Sequence, residues 1–172
     1  MAREKDTALE LYVTGLRNAH ALEKEAISIM KPQVQRIENY PELSKRLQEH
    51  IRETEIQQER LHSILTELGE DSSTVKDLGG NLMGTMAALG HSVMGDEILK
   101  NTFANYAFEN FEIASYKSLI ALADASGQNK QVKLLEQSLG EEIAMAGWLE
   151  DNVEKVTLKF LALSEAGRTA KV

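Results

Sequence analysis

Four stretches of the chain repeat a core-type residue at alternating spacings of three and four, the mark of a helix seam that faces other seams. The first runs Leu9, Val13, Leu16, His20, Glu23, Ile27, Met30, Val34, and the second Leu43, Leu47, His50, Thr54, Gln57, Leu61, Ile64, Leu68. The third runs Ile98, Thr102, Asn105, Glu109, Glu112, Tyr116, Leu119, Ala123, and the fourth Val132, Leu135, Leu139, Glu142, Ala146, Leu149, Val153, Val156, Phe160. Strand-type alternation is nearly absent. Such stripes are buried most simply against one another, so the chain is expected to be an all-α bundle. Each stripe is apolar at its ends and polar near its middle, and that shared interruption asks for a chemical reason.

Local signals set the helix limits. Helices are expected over about 6–38, 41–68, 96–125 and 129–160, with a kink or brief break at Pro32. Pro41 suits a first helical position, Gly69 a helix end, and Asp96 an N-cap. The last dozen residues read as loosely held. The 172 residues suit one domain with a sizeable core. Residues 69–95, "GEDSSTVKDLGGNLMGTMAALGHSVMG", are too long for a hairpin and too apolar for disorder. Gly80, Gly84 and Ala88 would let a short helix there approach the bundle closely. Two hairpins joined by one long crossover between the second and third helices is the ferritin-like topology.

Composition narrows the function. The net charge is −8 with no basic tail, which disfavours nucleic acid as a partner. The chain has no cysteine, so disulfides, thiolate metal sites and thiol nucleophiles are excluded. "MAREKDTALEL" lacks a hydrophobic signal core and no run is apolar enough to span a bilayer, so a cytoplasmic protein without membrane partners is expected.

Height tests whether the polar interruptions meet. At about 1.5 Å per residue, Glu23 lies roughly 26 Å and Glu53 roughly 20 Å from the first hairpin turn. Glu112, Glu109 and Glu142 lie roughly 21, 26 and 24 Å from the second. If both turns lie at the same end, five carboxylates share a slab about one helical turn thick. Protons or divalent cations would have to compensate them, and carboxylate oxygens are good ligands for Fe, Mn or Mg.

The segments "LRNAHALEKEAISIMKPQ", "LQEHIRETEIQQERLHSILTELG", "NYAFENFEIASYKSLIALA" and "LGEEIAMAGWLEDNV" together resemble the YciE/YciF-like family of bacterial ferritin-like stress-response proteins. The resemblance implies a homodimer and a dinuclear metal centre, with Glu23, Glu53, Glu109, Glu112 and Glu142 as ligands to two divalent ions, Fe or Mn. Dioxygen or peroxide would be the small oxidant. The chain departs from the Glu-x-x-His pattern of well-characterised ferritin-like di-iron proteins, since Ile56 and Met145 stand where the histidines would be. Gln57 stands where the family often has histidine. His20 and His50, each one turn before a seam glutamate, are candidate ligands or hydrogen-bond partners of ligands. Those departures keep open a second reading, a non-enzymatic dimeric stress protein with weak or no metal binding. A DNA-protecting cage is disfavoured by the acidic balance. For Tyr106 and Tyr116, packing with a hydroxyl hydrogen bond is expected. His62, His91 and the methionines Met83, Met86 and Met94 read as surface, packing or interface residues.

Overall fold

The computed structural model describes residues 2–70 and 95–172, with side chains from Thr7 onward. Four helices account for most of them: α1 Ala2–Arg36, α2 Pro41–Glu67, α3 Glu97–Ser126 and α4 Asn129–Glu165. Pro41 occupies the first turn of α2, where its missing N–H costs nothing. Gly127 ends α3 in the left-handed region at φ 79°, and the Gln128 N–H donates to the Ala123 carbonyl (2.7 Å) to close the helix. The expected break at Pro32 does not occur. α1 runs through it, because Pro32 lies on the exposed face, where the carbonyl it cannot bond is open to water.

Side-chain pairs set the helix directions. Near the end of α1, Arg36 Nε donates to Glu97 at the start of α3 (2.7 Å). Gln33 and Asn105 exchange two amide hydrogen bonds nearby (3.2 and 2.8 Å). Further back on α1, Gly15 meets Leu119 late in α3 so closely that a Cβ would fall 2.8 Å from Leu119 Cδ2. α1 and α3 are therefore antiparallel neighbours. Lys155 with Glu42 and Arg60 with Glu141 make α2 and α4 antiparallel as well. α2 ends beside the early part of α1, where Arg17 pairs with Glu70, whereas α3 starts beside the end of α1. The connection from 70 to 95 thus joins opposite ends of the bundle, as the ferritin-like topology requires. The expectations for Gly80, Met83, Gly84, Met86, Ala88, His91 and Met94 fall outside the described residues.

The two hairpin turns lie at opposite ends, not the same end. The polar positions still meet because each lies near the middle of its helix, so counting from either end gives nearly the same level.

The core is divided by that level. One apolar cluster, including Leu22, Met30, Leu47, Ile98, Met145 and Leu149, fills the end that holds the α1–α2 turn. A second, including Tyr12, Leu16, Leu61, Ile64, Leu119 and Leu135, fills the end that holds the α3–α4 turn. Each buried Leu or Ile contributes on the order of 1.5–3 kcal/mol, so these clusters carry the fold while the layer between them does not.

The final residues are tied down where the sequence suggested a loose end. α4 continues to Glu165, five residues past its expected limit. Beyond it, the Tyr40 hydroxyl donates to the Ala170 carbonyl (2.6 Å) and Asn39 Nδ2 to the Thr169 carbonyl (3.0 Å). The Ile98 N–H, an orphan of the first turn of α3, donates to the Lys171 carbonyl (2.9 Å). Donors on two other elements hold the tail, and no local pattern announces them. Tyr40→Phe is expected to cost about 1 kcal/mol, read as a lower urea midpoint at unchanged slope, with faster amide exchange over 168–172.

Candidate metal centre

The polar layer is built from seam positions. α2 supplies His50, α3 supplies Glu109 and Glu112 one turn apart, and α4 supplies Glu142. All four are buried, with 0–2 % of their surface exposed. One ligand atom from each lies within 4.8 Å of the others. Opposite ligands around one ion at 2.1–2.2 Å are separated by about 4.3 Å, so the group is within half an ångström of enclosing a cation.

The bonding pattern within the group favours a shared third partner. His50 Nε2 lies 3.0 Å from Glu109 Oε2 and 3.6 Å from Glu142 Oε2. The contact with Glu109 is close enough to stabilise a charged imidazole, but Nε2 and Glu109 Oε2 are poorly aligned as a hydrogen bond. Adjacent ligands at right angles around an ion at 2.1 Å sit about 3.0 Å apart, with both lone pairs aimed at the ion and not at each other. Seven of the eleven buried polar side-chain atoms without a hydrogen-bond partner, among the described residues, belong to Glu23, His50, Glu109, Glu112 and Glu142. Native interiors tolerate few such atoms, and here they are concentrated on one centre.

Glu53, expected as a ligand, is not brought into the group. Its side chain is 33 % exposed and accepts from Arg46 Nη1 (3.0 Å). It also lies 2.9 Å from Nδ1 of His50, the nitrogen facing away from the cluster. His50 occupies the α2 position that the sequence reading assigned to Glu53. At about 100° per residue, Glu53 is offset by about 60° from His50 around the helix and so points to the flank. It orients the imidazole from behind, as carboxylates commonly do for metal-binding histidines. The hydrogen bond from His50, with Arg46 adding to it, holds the Glu53 carboxyl below its ordinary value despite partial burial.

Glu23 borders the group from α1. Its Oε1 accepts a short hydrogen bond from the Tyr116 hydroxyl, and its Oε2 has no partner. The hydroxyl hydrogen bond expected of Tyr116 is thus made, with Glu23 as its acceptor. Tyr106, in contrast, is partly buried against the apolar cluster at the α1–α2 turn end. Gln57 donates to Glu141 (2.9 Å) and leaves its own Oε1 buried without a partner. Arg60 clamps the same Glu141 with two bonds of 2.7 and 2.9 Å. His20 does not join the cluster. Its ring lies beside that of His62 on the outer side of α1 and α2, with centroids 6.2 Å apart. Arg46 and the Arg60–Glu141 clamp were not visible in the sequence, because each joins helices or turns whose rotation is set by packing.

Burial dominates the electrostatics. It pushes the Glu23 carboxyl up to about 8, against the Tyr116 hydrogen bond and His50, which pull it down. Burial, then the charges of Glu23, Glu142 and Glu109, raise Glu112 well above the ordinary carboxyl range. Glu142 is raised in the same way by burial and by Glu109. For His50, burial alone would disfavour the cation, but Glu109, Glu53 and Glu142 together lift it to about 10. Without metal, the layer therefore balances its charge with an imidazolium and retained protons.

Two antiparallel helix hairpins whose turns lie at opposite ends, with a carboxylate and imidazole cluster at mid-height, define a ferritin-like four-helix bundle protein. Residues 7–162 match the model of a family described as a domain of unknown function (DUF892), and the chain belongs to this YciE/YciF-like family. It is 32 % identical to a Xanthomonas campestris protein of known crystal structure, with TM-score 0.77, covering 92 % of this chain and 99 % of that one. It is 25 % identical to the E. coli stress protein YciF (TM-score 0.72), covering 85 % of this chain and 94 % of that one. It is also 25 % identical to YcfI, a putative structural protein from Rhodopseudomonas palustris (TM-score 0.69), covering 87 % and 97 %.

Both Glu23 and His50 bind their protons more tightly folded than unfolded. The stability this confers is complete below the unfolded values of 4.5 and 6.5, and is lost as pH rises through about 8 and about 10. The chelator-treated protein is therefore expected to lose Tm steadily from about pH 5 to about pH 10, and Glu112→Gln to raise Tm at the alkaline end. A Tm that is flat or rising over that window would mean that these groups ionise as freely as in the unfolded chain.

Proposed function

We propose that the mid-bundle layer is a metal centre for divalent iron or manganese, used by a stress-response protein against dioxygen or peroxide. The observation that carries this is the concentration of unpartnered buried carboxylate and imidazole atoms within one small volume. His50, Glu109, Glu112 and Glu142 would hold one ion. Glu23, which borders the group, would contribute to holding a second. Mostly carboxylate oxygen with one imidazole suits Fe(II) and Mn(II), whereas a softer ion would favour more nitrogen. When bound, such ions supply Lewis acidity and electrons for reduction of the oxidant.

The chain's own residues have defined tasks in this reading. Glu53 holds the imidazole so that Nε2 faces the centre. Tyr116 fixes one oxygen of Glu23 and leaves the other available. The flanking apolar clusters limit water, which strengthens every charge interaction inside. Loading would expel the protons that the carboxyls and His50 otherwise retain, so binding tightens as pH rises. The stress role is supported by likeness to the E. coli stress protein. Family likeness also supports a homodimer, for which Leu11, Phe103 and Phe111, each about half exposed, offer apolar area. No described helix is long and apolar enough to cross a membrane, in keeping with the proposed cytoplasmic location.

A second reading is favoured by the Tyr116–Glu23 bond and the His50–Glu53 pair, which satisfy part of the layer without metal. There the protein would be a non-enzymatic dimeric stress protein that keeps the fold with weak or no metal binding. Elemental analysis separates the two: about two ions per chain are expected in protein purified without chelator, and well under one in Glu23→Ala combined with Glu112→Ala. Fe(II) or Mn(II) at a hundredfold excess over Kd should add about 2.7 kcal/mol of stability. Metal content unchanged by the substitutions, or a Tm indifferent to both ions, would leave the second reading standing.

A further inference from the structure

A second meeting of imidazoles lies outside the central group. His20 of α1 and His62 of α2 approach with ring centroids 6.2 Å apart and planes inclined by 46°. Both line an open depression shared with Gln58, Glu59 and Glu67. We propose that His20 and His62 form a separate surface site for a divalent cation of the imidazole-preferring class, such as Zn(II) or Cu(II), with Glu59 as its carboxylate arm.

The reach of the rings fits. With a metal–nitrogen distance of 2.0–2.1 Å and roughly 1.2 Å from nitrogen to ring centre, two imidazoles on one ion have centroids about 5.3 Å apart at the tetrahedral angle and up to about 6.5 Å when opposite. The observed separation of 6.2 Å lies between these values, so side-chain rotations that close the rings by up to about 1 Å bring both nitrogens onto one ion. His20 Nδ1 is closed off from solvent and has no hydrogen-bond partner, so no protein group occupies that nitrogen. Burial, then His62 and Lys24, lower the His20 pKa, which keeps its ring neutral and competent as a ligand at neutral pH. His62 is exposed, so an ion reaches it directly from water, and the half-buried His20 ring turns to join it.

Glu59 precedes His62 by three residues and therefore lies on the same helical face one turn away. This is the Glu-x-x-His spacing that the seam positions Glu53 and Glu142 lack, displaced to the outer surface. Two imidazoles, one carboxylate and water form a donor set for Zn(II) or Cu(II), unlike the oxygen-rich layer at mid-height. The two sites share no residue, since the central group draws on His50, Glu109, Glu112 and Glu142 alone.

The test is a Zn(II) titration of the chelator-treated full chain, in wild type and in Glu112→Ala, followed by imidazole nitrogen NMR. His20 and His62 are expected to shift together, saturating at one ion in both backgrounds. His62→Gln, at an exposed position, should weaken that phase by at least about tenfold, and His20→Gln likewise. His50 in the same spectra reports the central group, so failure of either site is seen separately. Histidine signals at 20 and 62 that stay still or move at different Zn(II) concentrations overturn the proposal. So does an affinity that survives His62→Gln.

Discussion

Four buried carboxyls at one level of a helical bundle are the constraint to which the rest of the structure answers. Ionised and unpaired in an apolar interior they would repel one another and lose their hydration, a cost that packing alone does not cover. The molecule meets it in three ways. It supplies a cationic imidazole at 3.0 Å from Glu109, it donates the Tyr116 hydroxyl to Glu23, and it retains protons on carboxyls whose ionisation burial disfavours. What is left unsatisfied is the set of lone pairs that a cation would take.

The price of that layer is met by its neighbours. Apolar clusters above and below carry the packing, and the helix pairs are fastened away from the centre by Arg36–Glu97, the Gln33–Asn105 exchange and Tyr12 with Gln131. α2 and α4 pack least closely of the neighbouring helices, and polar groups bridge them: Arg60 and Gln57 both reach Glu141. The layer can therefore carry charge without deciding whether the bundle folds. A site freed from the duty of stabilising the fold can keep strained electrostatics for chemistry.

His50 shows how tertiary context sorts equivalent-looking residues. In the sequence, His50, Glu53 and Gln57 form one polar run on one side of a helix. In the bundle, His50 enters the cluster, Glu53 stays at its rim holding the ring, and Gln57 turns to Glu141. His20 and Glu23 divide likewise, one toward His62 and the surface, the other toward Tyr116 and the interior. Offsets of about 60° or less around a helix separate these fates, with Gln57 only about 20° from His50, which is smaller than a seam can resolve from spacing alone.

Periodicity is a local property, so the chain by itself determined the four helices, the seams of α2 and α3 almost residue for residue, and the polar interruption at mid-length. The family-specific runs in those same helices also made the ferritin-like class legible. The seams of α1 and α4 were displaced by a position or so: Tyr12, Ala19 and Gln33 are buried where Val13, His20 and Val34 were expected. Only the assembled bundle decided that the hairpin turns lie at opposite ends and that the closing residues dock on Tyr40. It also decided that an imidazole, not Glu53, represents α2 in the cluster. Helix direction and axial rotation depend on how distant surfaces bury their area together, and no window of sequence contains both surfaces.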